Sequence, residues 1–471
     1  MSNTWFGRSG LALILAVFLG GGLTVSAGEL VLVSPHWEGI EYEFTEAFKK
    51  HYKAETGEDI ALKWLDVGGT SDIIRYIESE FKNKPEGIGI DLMFGGGVDP
   101  YFELKDRGFL MTYKLPEEIL NDIAPDIAGS PLYDKDCTWY APTMAGFGII
   151  YNKPLLAKRG LPTPKTWADL ARPEYFSWAG TADPGKSGSV HMCYEIILQS
   201  CGWKRGWEIV TAMGGNARSF SAAASQVPKD TATGDVACGL AIDFYAKMQA
   251  LEAGEDLIGF VYPEGLTVVN GDAIGILKGA PNAEAARAFV RFVMSEAGQR
   301  IWMLRVGETD GPVKYELAKF SVMPKVYDLV KGRTSVGVDP FAWPAGFRYD
   351  PELGSLRWKM VSDLVRVLVI EPHDDLTRAW KAAIESGNAE TALKTLAVMP
   401  LTEDEATELC RSDKWDDERF RNEKLVEWRA FAAEKYGASG FGRNLPALIV
   451  LCIVVLAIVY AAVRRRIRRK G

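Results

Sequence analysis

GTADPGKSGS, Gly180 to Ser189, opens more than one route to a fold. Its first eight residues satisfy G-x-x-x-x-G-K-[ST], the loop in which backbone N–H groups wrap a phosphate, a Lys reaches the terminal phosphates and a Ser holds magnesium. GLAID, Gly239 to Asp243, imitates the apolar strand and Asp that hold the metal in such enzymes. Read that way, the chain is an ATPase. Read as a strand-to-helix turn in an open sheet, the same residues offer the unpaired N–H groups of a helix start to any anion. Ser187 acting as a plain N-cap, with no ligand, is the third reading.

The ends of the chain bear on the choice. Residues 1–27 carry one charge, Arg8, an apolar run beginning LALILAVFL, and Val25-Ser26-Ala27 before Gly28, the pattern of a signal peptide cleaved after Ala27. Leu445 to Val463 is uncharged over 19 residues, and as a helix it would measure about 28 Å, close to the hydrocarbon thickness of a bilayer. RRRIRRK then puts six cations against its end, and the positive-inside rule places the tail 464–471 in the cytoplasm. The sequence therefore predicts a single-pass protein anchored by a C-terminal transmembrane helix at 445–463. Its bulk would stand on the periplasmic or extracytoplasmic face of the cell membrane, behind a short linker at 436–444. ATP is scarce there, which argues against the ATPase.

The formal net charge is −8; the tail supplies six positive charges and Arg8 one, so the portion from Gly28 to Arg443 carries −15. That balance opposes nucleic-acid binding. About 415 outer residues exceed a single hydrophobic core, and two lobes are expected. Five cysteines (Cys137, Cys193, Cys201, Cys238, Cys410) lie outside the apolar C-terminal run and Cys452 within it, so at least one outer thiol stays unpaired. With no CxxC and four His, a thiolate metal site is not expected. Neither a supported Ser-His-Asp order nor H-E-x-x-H is present, so the reading is not an enzyme and takes no cofactor.

Outward from the opening stretch, the chain alternates. ELVLVSPH, IALKWLDV and GIDLMFGGG read as strands, each followed by a helical pattern: EYEFTEAFKKHYKAETG stopping at Gly57, a helix opened by Gly68 to Ser71, and VDPYFELKDRG. This order calls for a parallel sheet covered on both faces. A second α/β series follows GFGIIYN, with a helix at TWADLARPEYF, a strand near SWAGTAD, a helix from Ser187 to Ser200 and a strand in GDVACGLAIDF. From about Tyr315 the chain reads as mostly helical and charged, with a Thr402/Glu405 capping box.

GIIYNKPLLAKRGLPTPKTWADLARPEYF, ADPGKSGS, GDVACGLAIDFYA and IGILKGAPNAEAARAFVRFVMSEAGQ, in that order, resemble the extracellular solute-binding proteins of ABC importers. The resemblance, over residues 29–324, is to the type II periplasmic-binding-protein group that carries ferric iron, hexose phosphates or aminoethylphosphonate. It implies an α/β fold of two lobes, 28–143 with 265–320 and 144–264 with 321–435, the second bearing a helical C-terminal extension. It also implies a small anionic ligand, phosphorylated or phosphonylated, delivered to an ABC permease; a ligand-sensing subunit without a transport role is the alternative.

Sheets of this kind bind ligands at strand ends. The candidates chosen on that basis are Ser34, His36, Thr70, Ser71, Gly96, Thr143, Ser187, Gly188, Ser189, Asp243, Tyr245, Tyr262 and Glu264. Asp243 ends an apolar strand, where a carboxylate is costly unless paired, solvated or liganded. Ferric iron is the rival cargo, with His36, Tyr245 and Tyr262 as its ligands. Members of the group that carry iron use adjacent tyrosines, and here the pair is Phe244-Tyr245.

Overall fold

The computed structural model describes residues 28–343 and 346–437. The expected signal peptide, most of the linker, the apolar run 445–463 and the basic tail lie outside the described residues.

Three strands, β1 (Gly28–Val33), β2 (Ile60–Leu65) and β3 (Leu92–Phe94), are parallel, with β1 in the middle. Each feeds a helix: α1 (Glu38–Thr56), α2 (Thr70–Asn83) and α3 (Asp99–Asp106). Gly57, at φ 79°, closes α1 in the left-handed conformation that a Cβ disfavours. Ile73, Ile74, Ile77 and Phe81 form the buried face of α2.

A 14-residue strand, β4 (Trp139–Asn152), then runs through both lobes. Beyond it lie β5 (Ala179–Ala182), α4 (Gly188–Cys201), α5 (Trp203–Asn216), β6 (Ala217–Ser221), β7 (Cys238–Ile242), α6 (Asp243–Ala253), β8 (Ile258–Val261) and β9 (Val269–Ile276). The sheet order is β2-β1-β3-β9-β4-β7-β5-β6, with β8 also on β4. The first half of β4 pairs antiparallel with β9, and the second half with β7 and β8. One strand thus enters both cores, which makes it a hinge element.

The two cores are separate. The first gathers Leu30, Phe44, Ile77, Phe94, Phe289 and Trp302, and continues through Val322, Met323, Val326 and Val330. The second gathers Ile149, Trp167, Ile196, Trp207 and Leu240 together with Met360, Leu364, Trp380, Trp428 and Tyr436 from the C-terminal helices. The extension is therefore built into the second lobe by shared burial.

Three expectations are corrected. TWADLARPEYF is not one helix but two 3₁₀ turns, Trp167–Ala171 and Pro173–Tyr175, because Pro173 forces Arg172 into an extended conformation (ψ 138°). The stretch after Tyr315 is mostly irregular, with only the short helix Pro324–Leu329 and the 3₁₀ turn Pro340–Ala342, until helices resume at Pro351; its Gly and Pro residues break any longer run. The Thr402/Glu405 capping box is present at the start of the helix Glu403–Arg411.

The third correction concerns the membrane. Among the described residues no helix is long and apolar enough to cross a bilayer. The two longest helices named here, α1 with 19 residues and Glu418–Lys435 with 18, carry charged side chains along their whole length. The fold is accordingly two-lobed with a helical extension, and the transmembrane helix and single-pass placement are withdrawn from it.

Candidate functional site

The opening stretch forms the β5–α4 turn. Asp183 organises it: its carboxylate accepts from Gly185 N–H (2.8 Å) and its carbonyl from Lys186 and Ser187 N–H (3.0 Å each). Ser187 caps α4, its hydroxyl accepting from Val190 N–H (3.3 Å). The Ser187 N–H is thus spent within the turn. The next two, Gly188 and Ser189, have no partner among the described residues. Lys186 is exposed at the rim.

The start of α2 faces this turn from the other lobe. Asp72 and Ile73 N–H donate to the Gly69 carbonyl, leaving those of Thr70 and Ser71 without a partner among the described residues. The approach is close enough to require glycine. A β-carbon on Gly188 would lie 2.6 Å from Thr70 Oγ1, and one on Gly69 would strike the Lys186 carbonyl. Two helix starts from opposite lobes therefore meet, each with two free N–H groups and the positive end of its helix dipole. Gly96, at φ 98° in the β3–α3 turn, packs on Thr70 from a third side.

Beside this junction lies an ion cluster. The Asp272 carboxylate accepts from Gly97 N–H (3.2 Å), His36 Nε2 (3.0 Å) and Lys319 Nζ (2.5 Å). The Lys319 side chain is fully buried, with its ammonium 4.6 Å from the Phe244 ring centre. Burial pushes the Asp272 carboxyl up, but Lys319 and His36 outweigh it and hold it well below the usual carboxylate range. Burial lowers the His36 pKa, and the neighbouring Asp272 carboxylate opposes that shift. His36 Nδ1 is buried with no partner among the described residues. Ser34 supports this loop by accepting from His36 N–H (3.1 Å).

Other candidates have structural employment. Thr143 donates to the Phe320 carbonyl (2.7 Å), stapling β4 to the segment after the first lobe's last helix. Asp243 accepts from Gly146 N–H (2.7 Å), Phe244 N–H (2.7 Å) and the Tyr262 hydroxyl (3.0 Å). Burial lifts its pKa to about 6 against these three donors. Its cost in an apolar strand end is met by the protein itself. Asp243 and Tyr262 line a cavity of about 480 Å³ with Tyr151, Lys153 and Phe260. Tyr245, pushed up to about 12 by burial and the Asp272 charge, has no hydrogen bond among the described residues. Glu264 is exposed in the Pro263–Leu266 turn.

The structure thus brings Thr70, Ser71, Gly96, Ser187, Gly188 and Ser189 together, with His36 beside them through the Gly95–Gly97 turn. It divides the iron set: His36 turns to Asp272 and Tyr262 to Asp243. Asp272 and Lys319 were not among the candidates. Asp272 in VVNGDAIGI carries the same signal as Asp243, a carboxylate in an apolar strand; Lys319 sits in an aperiodic stretch with no signal. All five outer cysteines are free.

Against known proteins, this arrangement has clear counterparts. Residues 89–319 match the bacterial extracellular solute-binding protein family. That match, over just under half of the chain, bears out the resemblance to solute-binding proteins of ABC-type importers read from the sequence motifs. The chain is 27% identical over 301 residues to the phosphoglycerate transport regulatory protein PgtC of Salmonella typhimurium, covering 62% of this chain and 70% of that one. Among solved structures, the periplasmic binding protein P5PA aligns with a TM-score of 0.61 at 20% identity, over 73% of this chain and 99% of its own. The periplasmic binding protein AfuA of Actinobacillus pleuropneumoniae, with fructose-6-phosphate bound, aligns with a TM-score of 0.58 at 18% identity, over 76% and 99%. The matched family and the two solved neighbours are binding proteins.

Proposed function

We propose that this solute-binding protein takes a small phosphorylated or phosphonylated solute and presents it to an ABC permease. The observation that carries the reading is the meeting of the α2 and α4 starts, one from each lobe, around unspent N–H groups at Thr70, Ser71, Gly188 and Ser189. A tetrahedral oxyanion accepts several donors at once, so a group held by both lobes couples binding to closure. The relatives support the class: PgtC is a phosphoglycerate transport regulatory protein, and AfuA holds a sugar phosphate. In this reading Ser187 caps and orients, Thr70 and Ser189 add hydroxyls, and Asp243 with Thr143 holds the hinge.

Calorimetry tests it with 3-phosphoglycerate, fructose 6-phosphate and 2-aminoethylphosphonate, each phosphate ester set against its dephosphorylated parent. Binding of at least one phosphorus compound, with loss of binding on removing the phosphate, is expected; equal binding of glycerate or fructose would overturn the oxyanion assignment. The name of PgtC also favours a regulatory reading. A deletion strain with unchanged uptake and an altered transcriptional response would select it over delivery.

A further inference from the structure

The helical extension lies outside the matched residues 89–319, yet it reaches the binding cleft. Its helix α8 (Trp358–Val365) belongs to the core of the second lobe, whereas α7 (Pro351–Leu356) packs on α3 of the first, and Tyr349, Trp358 and Lys359 each bond to the first lobe. Trp358 stacks on His191 of α4, ring centres 3.7 Å apart, one turn beyond Ser187. Its indole N–H donates to the Ser71 hydroxyl (3.3 Å) at the start of α2. One side chain therefore touches both helices whose starts form the candidate site. Tyr349 donates to Asp99 of α3 (2.6 Å) in a fully buried contact. Lys359 extends its ammonium to Glu103 of α3 (3.0 Å) and Glu78 of α2 (3.4 Å), and is also held by Asp416 of the extension (3.3 Å). Between α2, α3, the Asp183–Lys186 turn and the extension lies a cavity of about 700 Å³ with charged side chains, among them Arg75, Glu78, Glu103 and Lys359, in its lining.

Hinge opening in a two-lobed binding protein separates the lobes at the mouth of the cleft. Here the mouth is bridged by a hydrogen bond in a dry setting, an aromatic stack carrying a second hydrogen bond, and a shared ion cluster, none of which needs a ligand. We propose that the extension is a built-in latch of the cleft, with Trp358, Tyr349 and Lys359 as positioning residues that hold α2 and α3 of the first lobe against α4 of the second. The latch keeps the four N–H groups in register before a solute arrives, so less ordering remains to be done on binding. It rests on the two-lobed fold and not on the chemistry of the solute.

The test is a distance. Ketone-reactive spin labels on unnatural residues replacing exposed Lys50 and Lys158, one on each lobe, leave the native cysteines untouched. In the full chain without added solute, one short interlobe distance population is expected. The triple variant Tyr349→Phe, Trp358→Phe, Lys359→Met keeps an aromatic ring at 349 and 358 and removes the four hydrogen bonds these residues make to the first lobe. It is expected to show a second, longer population at an unchanged thermal midpoint for each lobe, and Lys359→Arg alone is expected to retain the short one. If the triple variant loses its fold, Trp358→Phe alone carries the comparison, because its ring still stacks on His191. A variant distribution that superimposes on the wild type overturns the latch, whatever the calorimetry of phosphate esters shows.

Discussion

Lys319 and Gly188 show how single residues define this site. Lys319 is a buried cation whose charge is matched by one carboxylate, Asp272. Removing one partner of such a pair leaves the other charged in a dry environment, so Lys319→Met is expected to cost about 3–5 kcal/mol of stability. Adding Asp272→Asn is expected to restore part of the loss, and denaturant titration of the two variants reads the difference. Gly188 is a matter of space. In Gly188→Ala the new methyl group meets Thr70 Oγ1 at 2.6 Å and Thr70 Cβ at 2.9 Å, both belonging to the opposite lobe. The lobes can then fold but not close, so solute affinity is expected to fall by about tenfold or more, equivalent to about 1.4 kcal/mol, with little change in thermal midpoint. Calorimetry beside a thermal melt separates the two effects.

At the scale of elements, much was legible because each signal was local. The strands before α1, α2 and α4 follow from short apolar runs that end in turn residues, and Thr402 with Glu405 marks a helix start by spacing alone. Thr402→Ala is expected to lower stability by about 1 kcal/mol, measurable as a shift in the denaturation midpoint. What the chain hides at this scale is long-range. Asp243 reads as a ligand group because its burial is visible in sequence, whereas its three donors come from Gly146, Phe244 and Tyr262, two of them remote in the chain. Asp272 carries the same local signal as Asp243, but its pairing with Lys319 depends on how the chain returns after the helix Glu296–Met303. The sequence predicts a helix through Arg172 in TWADLARPEYF, and the proline after it holds that residue extended.

For the whole molecule, the contact between lobes has a titratable group at its centre. Asp99 is buried, which raises its carboxyl to about 7; the Tyr349 and Asn270 hydrogen bonds oppose the rise and the nearby Glu195 adds to it. Below the ordinary carboxylate range Asp99 is protonated in both folded and unfolded chains. Between that range and pH 7 only the folded chain keeps the proton. Its stabilising contribution is therefore full in acid and is lost as pH rises toward 7, by about 1.4 kcal/mol per pH unit. Unfolding free energies measured from pH 5 to pH 8 are expected to fall more steeply for the wild type than for Asp99→Asn, which still accepts from Tyr349. Parallel profiles would show that Asp99 titrates normally.

The central claim is that four backbone N–H groups, two from each lobe, grip one oxyanion, and amide spectroscopy addresses it most directly. In TROSY spectra of protein labelled with ¹⁵N at Gly, Ser and Thr, adding 3-phosphoglycerate is expected to shift the resonances of Thr70, Ser71, Gly188 and Ser189 downfield together, while glycerate leaves them in place. Saturable binding of the phosphate ester with these four amides unmoved would contradict the account.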